Sequence, residues 1–122
     1  MYGVPAEIDL SPFSDTILEM VSLGQYQITL HFNSEASITI EGAWELADKN
    51  ATIIDQSLNR DQQPSERESY KIHACIGQRV IKATAEPPRS ILLNFENGYS
   101  LRIIDDSEQY ESFHIQPGDI HI

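Results

Sequence analysis

Apolar and polar residues alternate in two stretches of the chain, and the two stretches resemble each other. Ile28-Thr29-Leu30-His31-Phe32 leads through a polar break at 33–35 into Ala36-Ser37-Ile38-Thr39-Ile40. Ile91-Leu92-Leu93-Asn94-Phe95 leads through Glu96-Asn97-Gly98 into Tyr99-Ser100-Leu101-Arg102-Ile103. Side chains on a strand repeat every second residue, so each stretch predicts a β-hairpin with one apolar face. At a constant offset of 63, Ile28, Leu30, Phe32, Ser37, Ile38 and Ile40 fall on Ile91, Leu93, Phe95, Ser100, Leu101 and Ile103. The same offset carries Phe13 onto Ile76 and Ile17 and Leu18 onto Val80 and Ile81; a later drift sets Trp44 against Tyr110 and Ile53 against Ile120. The pattern reads as one domain, 1–122, holding repeat units at about 13–54 and 76–122.

Burial of one face decides the register of each hairpin. A two-residue Asn97-Gly98 turn would place Phe95 opposite Ser100 and mix apolar with polar side chains. A three-residue loop at 96–98 pairs Phe95 with Tyr99, Leu93 with Leu101 and Ile91 with Ile103, with Gly98 in the left-handed position such loops use. The first unit gives Phe32 with Ala36, Leu30 with Ile38 and Ile28 with Ile40. There Glu35 takes the place of Gly98, a less comfortable residue for that conformation, so this hairpin is expected to be the looser one.

Entering strands are predicted at 17–22 and 79–85, the second stopped by Pro87-Pro88. Shorter strands follow at 45–47 and 112–115, and a last one at 119–122. Ser11, Pro12 and Ser14 suggest a helical turn, and 68–76 two turns ended by Gly77. Residues 56–68, polar and containing Pro64, read as an exposed linker. The fold class is therefore mainly β with one or two short helices. A half-buried hairpin cannot cover its own apolar face, so the two units are expected to pack as a pseudo-two-fold sandwich or flattened barrel.

Composition changes this picture in one respect. At 122 residues with 40% hydrophobic and 22% charged, the chain can bury a single core without a staple, and the lone Cys75 excludes an internal disulfide. No apolar run approaches the ~20 residues of a bilayer span, and no basic-then-apolar leader opens the chain, so a cytoplasmic location is expected. Charge is the unusual property. The net charge is −11, and residues 1–48 hold Glu7, Asp9, Asp15, Glu19, Glu35, Glu41, Glu45 and Asp48 with no Lys or Arg. Such a field repels nucleic acid and anionic membranes and steers cationic proteins.

Candidate chemistry is sparse. There is no Gly-rich phosphate loop, paired-cysteine site or nucleophile elbow, and no cofactor is indicated. Cys75, inside the apolar stretch 72–76, reads as a buried thiol. His31 lies on the polar side of its strand and His73 on a helical turn. His114, Asp119 and His121 form the best metal candidate, because imidazole and carboxylate are metal ligands and Asp119 and His121 share one side of a strand. Two acidic clusters end the hairpins: Glu41, Glu45 and Asp48 after the first, Asp105, Asp106, Glu108 and Glu111 after the second. They are the candidate partner-binding residues, suited to Arg and Lys of another protein or to loose binding of Ca²⁺. Trp44 and Tyr110 read as caps on the core.

The motifs Glu41-x-x-Trp44-x-Leu46, Gly77-x-x-Val80, Leu93-x-Phe95-x-Asn97-Gly98-x-x-Leu101 and Tyr110-Glu111-x-Phe113 together resemble a family of small bacterial β-rich proteins. Phe113 stands where the family shows Trp. The resemblance spans about residues 26–115, and Pro117-Gly118-Asp119-Ile120-His121 separately resembles a fragment of cupin barrels. Small acidic proteins of this kind are similar to immunity partners of bacterial toxins, which cover a cationic nuclease; the resemblance supplies no catalytic residue. The expectation is an acidic binding protein whose partner is a basic protein such as a toxin domain, neither nucleic acid nor membrane, and which is a monomer or homodimer. The alternatives are a metal-dependent enzyme using His114, Asp119 and His121, and a self-associating structural module.

Overall fold

The computed structural model describes residues 3–5, 7–25, 27–57, 70–105, 112–117 and 120–122. Ten strands follow in chain order: β1 (Leu18–Leu23), β2 (Ile28–Phe32), β3 (Ser37–Ile40), β4 (Ala43–Ala47), β5 (Ile53–Gln56), β6 (Val80–Glu86), β7 (Ser90–Phe95), β8 (Ser100–Ile104), β9 (Phe113–Gln116) and β10 (Ile120–His121). A 3-10 turn at Ser11–Phe13 precedes β1, and another at Ile72–Cys75 precedes β6. The strands form two five-stranded antiparallel sheets, ordered β1-β2-β3-β9-β10 and β5-β4-β8-β7-β6, with no closed barrel. The fold is thus a β-sandwich.

Each half of the chain contributes three strands to one sheet and its last two to the other. β4 leaves the first hairpin to pair with β8, and β9 leaves the second to pair with β3. Each one-sided hairpin needs a cover for its apolar face, and here strands that switch sheets at a corner extend both covering sheets.

The hairpin registers are those that the alternation predicts. Ile28 pairs with Ile40 and Leu30 with Ile38, while Ile91 pairs with Ile103 and Leu93 with Leu101. Phe32 N–H donates to Ala36 O at 3.0 Å and Phe95 N–H to Tyr99 O at 2.8 Å, closing the two loops alike. Glu35 and Gly98 both carry positive φ, +69° and +91°. Leu30, Ile38, Leu93, Leu101 and Ile103 are fully buried in one core with Phe13, Phe95 and Phe113. Burying such a side chain stabilises by about 1.5–3 kcal/mol, so this shared interior is the main stabilising element.

The halves also match in their connections. Leu18 N–H donates to Gln78 O and Val80 N–H to Thr16 O; Gly77 N–H donates to Leu18 O and Asp15 N–H to Val80 O. Exchanging the halves maps each bond onto its counterpart, about a bridge between Ile17 and Arg79. Both hairpin tips are tied to the 3-10 turn of their own half, Ser34 Oγ donating to Pro12 O and Asn97 Nδ2 to Ala74 O.

Several expectations need correction. Leu18 pairs with Phe32 and Val80 with Phe95, so Leu18 corresponds to Val80 and not Ile81. The reason is loop length: four residues separate the paired Leu23 and Ile28, and five separate the paired Ala85 and Ile91. Trp44 pairs with Ile103 as Phe113 pairs with Ile40, so Phe113 is the counterpart of Trp44, and Tyr110 lies outside the described residues. Asp55 opposite Leu46 corresponds to Ile120 opposite Ile115, two residues past the expected Ile53. Gln56, which its polar neighbours assign to the linker, belongs to β5, and residues 58–68 of that linker lie outside the described residues. Among the described residues of 68–76 a single 3-10 turn forms where two helical turns were expected.

The start of that turn is held by Asp55. Its Oδ2 accepts the N–H of Lys71 at 2.7 Å and of Ile72 at 3.2 Å, and its Oδ1 accepts Gln56 N–H. A buried carboxylate on β5 thus satisfies the first donors of the turn and ties it to that strand.

Candidate functional site

The two acidic clusters meet, in part, where the chain changes sheets. Ser112 O accepts both Glu41 N–H and Gly42 N–H at 2.8 Å, and Ser112 Oγ donates to Asp105 Oδ1 at 3.0 Å. The β3–β4 and β8–β9 crossovers therefore touch at one corner of the sandwich, with Glu41 and Asp105 on either side of Ser112. Asp106, Glu108 and Glu111 lie outside the described residues.

The described carboxylates differ in how free they are. Glu41 is exposed. Asp105 also accepts Gly3 N–H at 3.0 Å, so it ties the N-terminal segment to the corner as well as Ser112. Asp48 stands at the far end of β4, where its Oδ1 accepts Asn50 and Thr52 N–H and shapes the β4–β5 turn. Glu45 lies midway along β4 on the outer face of the second sheet, 3.7 Å from Arg102 Nη1.

Arg102 joins Glu45 to a second carboxylate that the sequence reading passed over. Its Nε and Nη2 donate to the two carboxylate oxygens of Glu86 at 2.8 and 3.2 Å, and Ser90 Oγ donates to the same carboxylate at 2.8 Å. The bond from Arg102 lowers the Glu86 pKa, and the Arg102 pKa is raised in return. Solvent screens this group of charges, which is half exposed, so it fixes side-chain geometry more than it stabilises the fold. A period-two reading places Glu45 and Arg102 on outward positions, but the pairing of β4 with β8 that brings them together is non-local.

The outer face of the first sheet differs in character. The register sets Ser22, Thr29, Thr39, His114 and His121 in one row across its five strands, and Met20, His31, Ser37 and Gln116 in the next. Ser22 Oγ and His31 Nε2 are 2.9 Å apart, the Thr29 and Thr39 hydroxyls 3.1 Å, and Gln116 Nε2 and His114 Nε2 3.1 Å. Of the metal candidates, the β9–β10 register sets His121 opposite His114, and Asp119 lies outside the described residues. Among the described residues no group of three or more His, Cys, Asp or Glu is placed to hold a metal. His73 is exposed, with its Nδ1 2.9 Å from Tyr70 O. Cys75 is buried, and loss of hydration pushes its thiol pKa up to about 12, which leaves it a poor nucleophile.

Among the described residues no helix is long and apolar enough to cross a membrane. Compared with known proteins, the chain matches no protein-family model, no curated protein and no solved structure.

Proposed function

We propose that this protein is an acidic binding protein of the cytoplasm that offers carboxylates to a basic protein partner, in the manner of an immunity or inhibitor factor facing a cationic toxin or nuclease domain. The observation that carries the reading is the first 48 residues, which hold eight acids and no Lys or Arg. Glu7, Asp9, Asp15, Glu19, Glu35 and Glu41 in that stretch are all exposed. Glu45, Asp48, Asp105 and, among the exposed acids, Asp9 have bonding partners within the chain, so the recognition rests most on Glu41 at the crossover corner and on Glu7, Asp15, Glu19 and Glu35. Such a surface raises encounter rates with a cation-rich partner and loses that advantage as salt rises. Capture from the native host at low salt tests it: a basic protein is expected to be retained and released as ionic strength rises. Retention of no basic protein, or binding indifferent to salt, overturns the reading.

A second reading, a metal-dependent enzyme using His114, Asp119 and His121, draws on the register that sets His121 opposite His114. It requires a stoichiometric metal in untagged protein, or a thermal shift on adding Zn²⁺, Mn²⁺ or Ni²⁺; neither effect would remove it.

A further inference from the structure

Sheet edges present unpaired N–H and C=O groups, and proteins blunt them with Lys, Pro, bulges or very short strands. Each of the four edges here carries at least one of these features, and β1 carries the bulge alone. β5 has four residues, and β6 has a bulge between Val80 and Lys82, bears Lys82 and ends before Pro87-Pro88, while the described part of β10 is Ile120–His121. β1 has a bulge near its start, between Leu18 and Met20, but no Lys, Arg or Pro within Leu18–Leu23. Its Met20 and Leu23 side chains are 51% and 53% exposed, among the most exposed large apolar groups of the described residues.

The groups on this edge can be identified from the ladder. Gly24 N–H donates to Gln27 O at 2.8 Å, so Gly24 and Gln27 are a hydrogen-bonded pair. Bonded and non-bonded pairs alternate along an antiparallel ladder, which continues as Leu23↔Ile28, Ser22↔Thr29, Val21↔Leu30 and Met20↔His31. Ser22 and Met20 therefore direct their backbone groups at β2, and Val21 and Leu23 direct theirs outward.

We infer that β1 is a self-pairing edge, and that its occupant is β1 of a second copy of this chain, antiparallel about a two-fold axis at Ser22. In that register Val21 faces Leu23 of the second copy, and the reverse pair repeats it. Each pair exchanges both N–H···O bonds between groups that already point outward, and Ser22 meets its own copy as a non-bonded pair. The two first sheets join into one continuous sheet. Leu23 is covered by Val21 of the second copy on the core side. Glu19, at the bulge, lies three residues from the axis, so the two Glu19 carboxylates do not face each other at the seam. The net charge of −11 on each copy opposes association at long range, so screening strengthens the dimer. This salt dependence is opposite in sign to that of the basic-partner surface.

Sedimentation velocity of the full chain, from micromolar to a few hundred micromolar in low and in high NaCl, reads the dimer directly. The expected result is a monomer–dimer equilibrium, with nothing larger, whose dissociation constant falls severalfold as salt rises. Val21→Pro removes an outward N–H that β2 does not use, a position that tolerates proline on an edge strand; it should be monomeric with an unchanged β-type circular dichroism spectrum. Ala83→Pro, its counterpart on β6, should leave the dimer intact. Ser22→Cys places a thiol at a non-bonded antiparallel pair, within disulfide reach of its copy. It should cross-link under mild oxidation while buried Cys75 does not react. A wild-type chain that stays monomeric throughout, a dimer abolished by Ala83→Pro instead of a folded Val21→Pro, or Ser22→Cys that never cross-links each overturns the inference. The cross-link decides the matter if either proline variant fails to fold.

Discussion

Replacing Gly98 by Ala should destabilise the protein for two separable reasons. Gly98 holds φ at +91°, and a Cβ built there would lie 2.9 Å from Lys49 Cβ and 3.5 Å from Lys49 Cα. An L-residue in a left-handed conformation costs about 1–2 kcal/mol. A forced close contact in a packed position costs about 1–3 kcal/mol, and the reduced freedom of the unfolded chain offsets about 0.5–1 kcal/mol. The net loss is about 1–4.5 kcal/mol. With about 2.1 cal/mol/K of unfolding entropy per residue, each kcal/mol lowers the melting temperature of a chain this long by about 4 °C. Gly98→Ala should therefore melt about 4–18 °C below wild type by circular dichroism. Adding Lys49→Gly should recover the contact part and leave the conformational part. The other half supplies the mirror experiment: Glu35 holds φ at +69°, so Glu35→Gly relieves strain and should raise the melting temperature by about 2–4 °C, net of glycine's added chain entropy. If both variants shift in the same direction, or neither shifts by more than about 1 °C, the argument that these loops share one left-handed geometry is wrong.

Three further results are expected. Asp55→Ala leaves the N–H groups of Lys71 and Ile72 without their acceptor in a buried setting, at a cost of about 2–4 kcal/mol in urea unfolding; Asp55→Asn should cost less because one acceptor oxygen remains. Cys75 should resist a thiol reagent in the native state and react on unfolding. Because its folded pKa is raised from 9.0 to about 12, the contribution of its neutral form is full below the unfolded value and declines as pH rises between those values. A Cys75→Ser chain should lose less stability across that window. Glu86, whose pKa is lowered by Arg102, contributes stability that is present above the unfolded carboxylate pKa and declines as pH falls; Glu86→Gln should flatten the acid limb by no more than about 0.5–1 kcal/mol, given its half-exposed setting.

The hairpins were legible in the sequence because burial of one face permits a single register. Leu93 opposite Leu101 follows from alternation, and the three-residue loop this implies puts Gly98 in the left-handed third position. The exchange of β4 and β9 between sheets was not legible, since a strand such as Ala43–Ala47 carries the same alternation whichever neighbour it pairs with. β5 was missed because Asp55, a buried carboxylate with backbone partners, looks in sequence like the edge of a polar linker. At the candidate site the charges themselves were plain. Their internal uses were less so: Asp48 before Asn50 is a recognisable turn signal, but the bonds of Asp105 to Gly3 and Ser112 and of Glu45 to Arg102 depend on long-range pairing.

Everything proposed for the surface presupposes that the two halves build one interior by trading strands. Cutting the chain between residues 63 and 64 tests this most directly. Each fragment alone should lack a cooperative melting transition, because each supplies only part of either sheet, and equimolar mixing should restore the β-type spectrum and a single transition. A fragment that folds cooperatively by itself, or a mixture no more ordered than its parts, would contradict the exchanged-strand core.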